Sequence, residues 1–442
     1  MTSTTISSLP AELLAEIFAH SLPELHSSPR IHNSPLLLTR VSRLWHDVAL
    51  ATPVLWATFS TTFASSKNIL PLEIVERWLS RSQNLPLSIY VDDSIDYEST
   101  DPDPHLWAFY EQLCRHAQRW QDVTLNIPFT LLWRLPIQQP LEMLERLKMG
   151  RDEEGQSVSD RQITAFMTAP RLRVADIVLD VDEVMTAQGL ALPWAQLSVF
   201  RGRLFNWNEC LYVLAQATCL AECEFNDVVG GYVPGDGVVA PSLQVLRLDA
   251  SGLHKCTRLM SWVTVPNLRK FALGSKTQTT PDHITWPVFR RFLSRSSCAL
   301  THLHISANTS FSEWDQLVSR HSLFPLLEHL EIFWFHDDSN LAPLIQTSDA
   351  GAPLPRLHTV VLHSQTSPKD ASLMNIISLL FARTAEDWPA TRLSRFEYKW
   401  DITLDTEYLV AIDETVWARV AVLRDQGVRI FIGSMEAYRA VV

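Results

Sequence analysis

One apolar pattern returns along most of the chain. A proline is followed by one residue, an apolar residue, two residues, a second apolar, one residue and a third apolar. It reads Pro241, Leu243, Leu246, Leu248; then Pro266, Leu268, Phe271, Leu273; then Pro325, Leu327, Leu330, Ile332; then Pro355, Leu357, Val360, Leu362. Pro170 with Leu172, Ala175 and Ile177 is a weaker copy. Less regular copies start at Trp120, Leu144, Leu197, Leu220, Leu300 and Leu393. The second and third apolar residues stand two apart, the period of a half-buried strand. Each copy therefore predicts one short strand.

The stretches between copies change period. Apolar residues at helical spacing occur in Trp207 to Ala217, Thr257 to Val263, Val288 to Arg295 and Ser372 to Phe381, and earlier in Leu72 to Ser82 and Leu106 to Trp120. Strand, helix and strand in alternation predict parallel strands joined by crossovers. Most starts lie within the 20–29-residue interval of leucine-rich repeats, and the later gaps are longer. Residues 120–442 are thus expected to form an irregular α/β leucine-rich-repeat-like solenoid, with 61–119 a helical connector and first repeat. A closed barrel or a doubly wound sheet is the alternative, but both want longer buried strands.

The first sixty residues follow a different rule. Leu9-Pro10-Ala11-Glu12 opens a helix, since proline suits a first turn where its missing N–H has no partner. Leu13, Leu14, Ile17, Phe18 and Leu22 continue it, and Pro23 ends it. A polar loop from Glu24 to Asn33 precedes a second helix, expected from Ser34-Pro35 through Val41, Leu44, Trp45 and Val48. Thr52-Pro53 breaks that helix, and Val54-Leu55-Trp56 makes a third turn. Leu36, Leu37, Leu38, Val41, Leu44, Trp45, Val48 and Leu50 crowd more than one helical face. Such a short segment has more apolar surface than it can bury by itself. Either the rest of the chain or a partner must cover it.

These residues carry a resemblance. Leu9-Pro10, Glu12-Leu13-Leu14, Ile17-Phe18 and Thr39 through Ala49 (Thr-Arg-Val-Ser-Arg-Leu-Trp-His-Asp-Val-Ala) resemble an F-box, most closely the F-box-like proteins expanded in mushroom-forming fungi. The match covers roughly residues 6–58. Two departures are visible: the loop after the first helix is long, and Ser42 stands where many members carry cysteine. The resemblance implies a three-helix module over residues 1–60 that packs on the Skp-family adaptor of a Skp–cullin–F-box ubiquitin ligase. Leu9, Pro10, Leu13, Ile17, Val41 and Trp45 match the family's apolar docking positions. An F-box followed by leucine-rich-like repeats is itself a family arrangement, in which the repeats hold the target. The implied whole is α+β.

Composition narrows the partners. The 442 residues are 46% hydrophobic and 19% charged, enough for a substantial core. A net charge of −12 argues against a duplex nucleic-acid binder, which needs a basic face. Met1 to Ser8 carry no basic charge and no apolar run, so no secretory signal is read there. No stretch reaches the length of a membrane span. Six dispersed cysteines fit reduced thiols. An intracellular protein, cytoplasmic or nuclear, is expected.

Side chains flanking the second and third apolar positions should point to the open face of the sheet. The acidic ones are Asp122, Asp176, Glu222, Glu224, Glu331 and Glu397; the basic ones are Arg146, Lys148, Arg201, Arg247, Lys270 and Arg395. A mixed face without a phosphate-binding stripe points to a protein or peptide target, or to a solvated face with no partner. Arg201, Glu222, Glu224, Arg247, Lys270, His302, His304, His329 and Glu331 are the target-binding candidates. If neighbouring copies pair in register, His302 lies beside His329 and His304 beside Glu331. Three imidazoles and a carboxylate could bind zinc, respond to pH below about 6.5, or be ordinary surface histidines. Phe333-Trp334-Phe335 is either a partner anchor or core plus a capped edge.

Phosphate loops, nucleophile elbows and metalloprotease motifs are missing from the sequence. Gly230 to Gly237 is glycine-rich without lysine or dinucleotide spacing and is read as a loop. Cys210, Cys219 and Cys223 lack a second pair at zinc-finger spacing and are read as packed thiols. The acids from Asp92 to Asp103 do not follow calcium-loop spacing. No catalytic residue, cofactor or metal is expected. The expectation is a non-enzymatic substrate receptor of a ubiquitin ligase, with no nucleic-acid or membrane partner. A repeat scaffold without ligase engagement, or an enzyme with an unrecognised site, are the alternatives.

Overall fold

The computed structural model describes residues 6, 9–22, 35–63, 69–93, 104–150, 162–179, 186–231, 237–250, 252–275, 286–306, 324–333, 341, 344–345, 347, 352–364, 370–400 and 414–434. The chain divides into two compact units, Met1–Leu204 and Phe205–Val442.

The first unit opens with α1 (Ala11–His20), a 3-10 turn (Leu38–Arg40), α2 (Arg43–Ala51) and a second 3-10 turn (Pro53–Trp56). The expected second helix is therefore interrupted. Ser42 is extended, with φ −156° and ψ 168°, and its hydroxyl accepts from the Trp45 N–H at 3.2 Å. A serine there satisfies one of the orphan donors at a helix start, so it begins a new helix rather than continuing the old turn. The Glu24–Asn33 loop lies outside the described residues.

Strands start earlier than the proline-led copies do. β1 (Thr58–Phe63), α3 (Leu72–Arg81), β2 (Leu87–Asp93) and α4 (Pro104–Cys114) precede β3 (Trp120–Asn126). A short α5 (Phe129–Leu132), then β4 (Arg146–Met149), β5 (Val174–Val178) and β6 (Val199–Arg203), complete the unit. Each strand from β1 to β6 pairs in parallel with the next in sequence. Between β5 and β6 the described residues hold two 3-10 turns, Ala187–Gly189 and Trp194–Gln196. Trp56 joins the N-terminal helices to α3. Its Nε1 donates to Ala49 O at 2.9 Å, and its ring meets that of Trp78 edge-on at 5.0 Å.

The second unit runs α6 (Trp207–Gln216), β7 (Glu222–Asn226), β8 (Val238–Val239), β9 (Val245–Ala250), α7 (Leu253–Met260), β10 (Val263–Thr264), β11 (Lys270–Ser275), α8 (Trp286–Ser296) and β12 (His302–Ser306). It continues with β13 (His329–Phe333), β14 (Thr359–Ser364), α9 (Asp370–Thr384), β15 (Arg395–Trp400), α10 (Glu414–Asp425) and β16 (Arg429–Ser434). β7, β9 and β11 to β16 pair in parallel, each with the next. β8 and β10 form a separate parallel pair. The helix expected from Thr257 to Val263 sits earlier, and Val263 belongs to β10. Among the described residues neither run of strands closes into a barrel, and neither reverses its order as a doubly wound sheet would.

All eleven copies coincide with a strand, and ten of those strands begin two residues after the copy starts. The reason is burial. Leu243, Leu246 and Leu248 are at most 2% exposed, as are Leu268, Phe271 and Leu273, and Leu357, Val360 and Leu362. Fully burying such side chains is worth about 1.5–3 kcal/mol each. The first apolar residue anchors the turn, and the next two bury the inner face of the strand.

Candidate docking surface

The N-terminal helices are two-faced. On α1, Leu14 and Phe18 are buried, whereas Leu13 and Ile17, one turn apart, are 47% and 43% exposed. Leu38, Val48 and Ala49 are buried, whereas Leu37, Val41 and Leu44 are exposed. Among the described residues, seven of the fifteen exposed large apolar side chains lie between Ile6 and Val54. That is nearly half of them in an eighth of the chain, so the apolar surplus read from the sequence is not covered by the described chain. Of the six positions expected to dock, Pro10, Leu13, Ile17 and Val41 are exposed, and Leu9 and Trp45 are half-buried. Trp45 is shared with the interior, its ring 4.8 Å from that of Phe18. Leu37, Leu44 and Val54 were not among those six; their exposure depends on where Ser42 and Pro53 break the helices.

The charged positions on the strands mostly neutralise one another across the parallel ladders. In the first unit, Arg146 lies 3.4 Å from Asp122 and Lys148 3.8 Å from Asp176, while Arg201 is the register partner of Asp176. In the second unit, Arg247 reaches Glu222 at 3.9 Å and Glu224 at 4.0 Å. Glu397 holds both Arg395 and Lys399, the latter at 2.6 Å.

The histidine cluster forms as its register implies. His302 pairs with His329 and His304 with Glu331. The His302 and His329 rings stack with centroids 5.4 Å apart. His304 Nδ1 lies 2.9 Å from Glu331 Oε2, and His363, from β14, places Nε2 3.1 Å from Oε1. His363 was not foreseen, since nothing in its own copy marks it. Burial works against the Glu331 charge, but hydrogen bonds from His304, His329 and His363 outweigh it and hold the carboxyl far below its ordinary range. The imidazoles aim at the carboxylate oxygens rather than at one common point. Among the described residues no group of three His, Cys, Asp or Glu is placed to hold a metal ion.

The face is not open everywhere. Thr359, Val361 and His363 on β14 and Glu397 and Lys399 on β15 are all buried. The Phe333 ring lies flat on His363, centroids 3.7 Å apart, and Glu397 and Lys399 fold onto each other. Trp334 and Phe335 lie outside the described residues.

All six cysteines are free thiols. Cys210 and Cys223 are buried, which raises their pKa, but Cys219 is exposed and is no core thiol. Gly230, Gly231 and Gly237 border the loop read as glycine-rich, and 232–236 lie outside the described residues. Among the described residues no helix is long and apolar enough to cross a membrane. No protein-family model matches the chain, and no curated protein matches it.

Proposed function

We propose that this chain is the substrate-recognition subunit of a Skp–cullin–F-box ubiquitin ligase. It docks on the Skp-family adaptor through Leu13, Ile17, Val41 and their neighbours, and it holds a target protein on the sheet of its leucine-rich-repeat-like solenoid. The F-box resemblance of residues 6–58 suggests the partner. The observation that carries the reading is the exposure of Leu13, Ile17 and Val41 beside buried Leu14, Phe18 and Val48. Covering half a leucine or isoleucine side chain removes apolar area worth roughly 1 kcal/mol per residue. Several such residues together supply a usable docking energy.

The test is co-expression with the adaptor followed by gel filtration. Deleting residues 1–60 would cut into β1 and remove Trp56 from its contact with Trp78, so point variants are the cleaner tool. The intact chain is expected to co-elute with the adaptor, and Leu13→Asp with Ile17→Asp to elute alone while still folded. Failure of the intact, folded chain to co-elute would leave a repeat scaffold without ligase engagement.

A further inference from the structure

The strand register sorts charges that look mixed along the sequence. Across β11 to β16 the first outward-facing position of each strand forms one row: Lys270, His302, His329, Thr359, Arg395 and Arg429. Every member is basic except Thr359. The two carboxylates on this face, Glu331 and Glu397, both stand in the second row, two residues further along their strands. Over these six strands the outward positions hold four fixed cations, Lys270, Arg395, Lys399 and Arg429, against those two carboxylates. A chain of net charge −12 thus carries a local face of the opposite sign.

The ends of the row are its open part. Lys270 and Arg429 are exposed and have no carboxylate partner among the described residues. His302 and His329 are half-buried and stacked. Burial, then the charges of Lys270 and His329, push the His302 pKa below its ordinary value; Glu328, just before β13, works in the opposite direction. His358, just before β14, also repels a proton on His302. His304 and His363 are taken up by Glu331, His329 lies 3.9 Å from the same carboxylate, and both Arg395 and Lys399 are held by Glu397. A negative ligand along the first row would meet two fixed cations and the stacked imidazoles of His302 and His329, and would favour a proton on His302.

We infer that the row running from Lys270 through His302 and His329 to Arg429 binds an acidic peptide segment laid across strands β11 to β16. With strands about 4.8 Å apart the row is about 24 Å long, the reach of about seven extended residues. Its width favours a single chain of carboxylates. A broader polyanion such as a nucleic acid would also overlie Glu331 and Glu397. The inference names the target class of the receptor reading and rests on that reading for its biological use. Peptide binding is measured without the adaptor, so the two can fail separately.

The experiment is fluorescence polarisation of a labelled eight-residue polyglutamate peptide with the full chain at low ionic strength. Saturable binding is expected. It should weaken at least tenfold in Lys270→Gln with Arg429→Gln, and it should tighten at least threefold from pH 7.5 to pH 6.0. His302→Gln should reduce that pH effect. Arg290→Gln with Arg291→Gln, an equal loss of charge at exposed positions of α8, should leave binding within twofold. Absence of saturable binding, or an equal loss in the α8 variant, would overturn the inference. So would tighter binding of an eight-nucleotide oligothymidylate, which would make the row a single-strand nucleic-acid site.

Discussion

Glu331 Oε2 lies 2.9 Å from His304 Nδ1, across two strands whose residues are 27 apart in sequence. The carboxyl is ionised well below ordinary pH, so it accepts and the imidazole nitrogen donates. The opposite oxygen takes His363 from the strand on the other side. One carboxylate thereby ties three strands together on their outward face.

This tie has a pH signature. A carboxyl with a depressed folded pKa contributes stability that is present above its unfolded value, about 4.3, and is lost as pH falls through the folded value. Urea unfolding from pH 6 to pH 3 should show the native chain losing stability more steeply than Glu331→Gln. At pH 7 that variant should be less stable by about 1–3 kcal/mol, since donors are left with a poorer acceptor. Parallel curves would show that Glu331 is not held in this way.

Arg383 predicts a larger loss. Its side chain is fully buried, stacks on Trp388 and donates to the carbonyls of Leu344, Pro353, Leu354 and Leu357. Burial lowers its pKa to about 10, so it stays charged at neutral pH. Arg383→Met should destabilise by about 3 kcal/mol or more, since several buried carbonyls lose their donor. Arg383→Lys should not restore it, because an ammonium cannot span the same fork. Thermal unfolding of the three forms checks both statements.

Inner and outer apolar residues should separate cleanly. Leu246→Ala empties a position only 1% exposed and should cost about 2–5 kcal/mol. Leu13→Asp with Ile17→Asp should change stability by about 0.5 kcal/mol or less per site, as exposed substitutions do, yet abolish adaptor capture. Urea midpoints and gel filtration on the same preparations measure both.

Ser42→Ala tests the break between the 3-10 turn and α2. Loss of the hydroxyl that accepts from Trp45 N should cost about 0.5–2 kcal/mol and fray the first turn of α2. Faster amide exchange at residues 43–47, without change in β9, is the expected outcome.

The proline-led copies located their strands because the signal is local. Leu243, Leu246 and Leu248 announce a turn and a buried inner face within six residues, with no need of neighbours. β1, β2 and β16 lack the leading proline at that spacing, so the proline-led pattern does not mark them, although Leu87-Ser88-Ile89-Tyr90-Val91 alternates correctly and buried Trp56 stands two residues before β1 as an anchor does. The exposed apolar face of α1 was legible in part. Helical spacing placed Leu13 and Ile17 on one face, but only the packing of Leu14 and Phe18 decides which face is left to solvent.

The sequence by itself determined which residues enter the strands and which apolar side chains the core takes, because hydrophobic burial acts residue by residue on a two-residue period. Tertiary structure alone decided how the charges are distributed. Whether Lys270, His302, His329, Arg395 and Arg429 stand in one row, and whether Glu331 meets His304 and His363, depends on register between strands whose paired residues are 27 to 36 apart in sequence. Electrostatic interactions act through space at distances of a few ångströms, and the sequence does not carry those distances on its face.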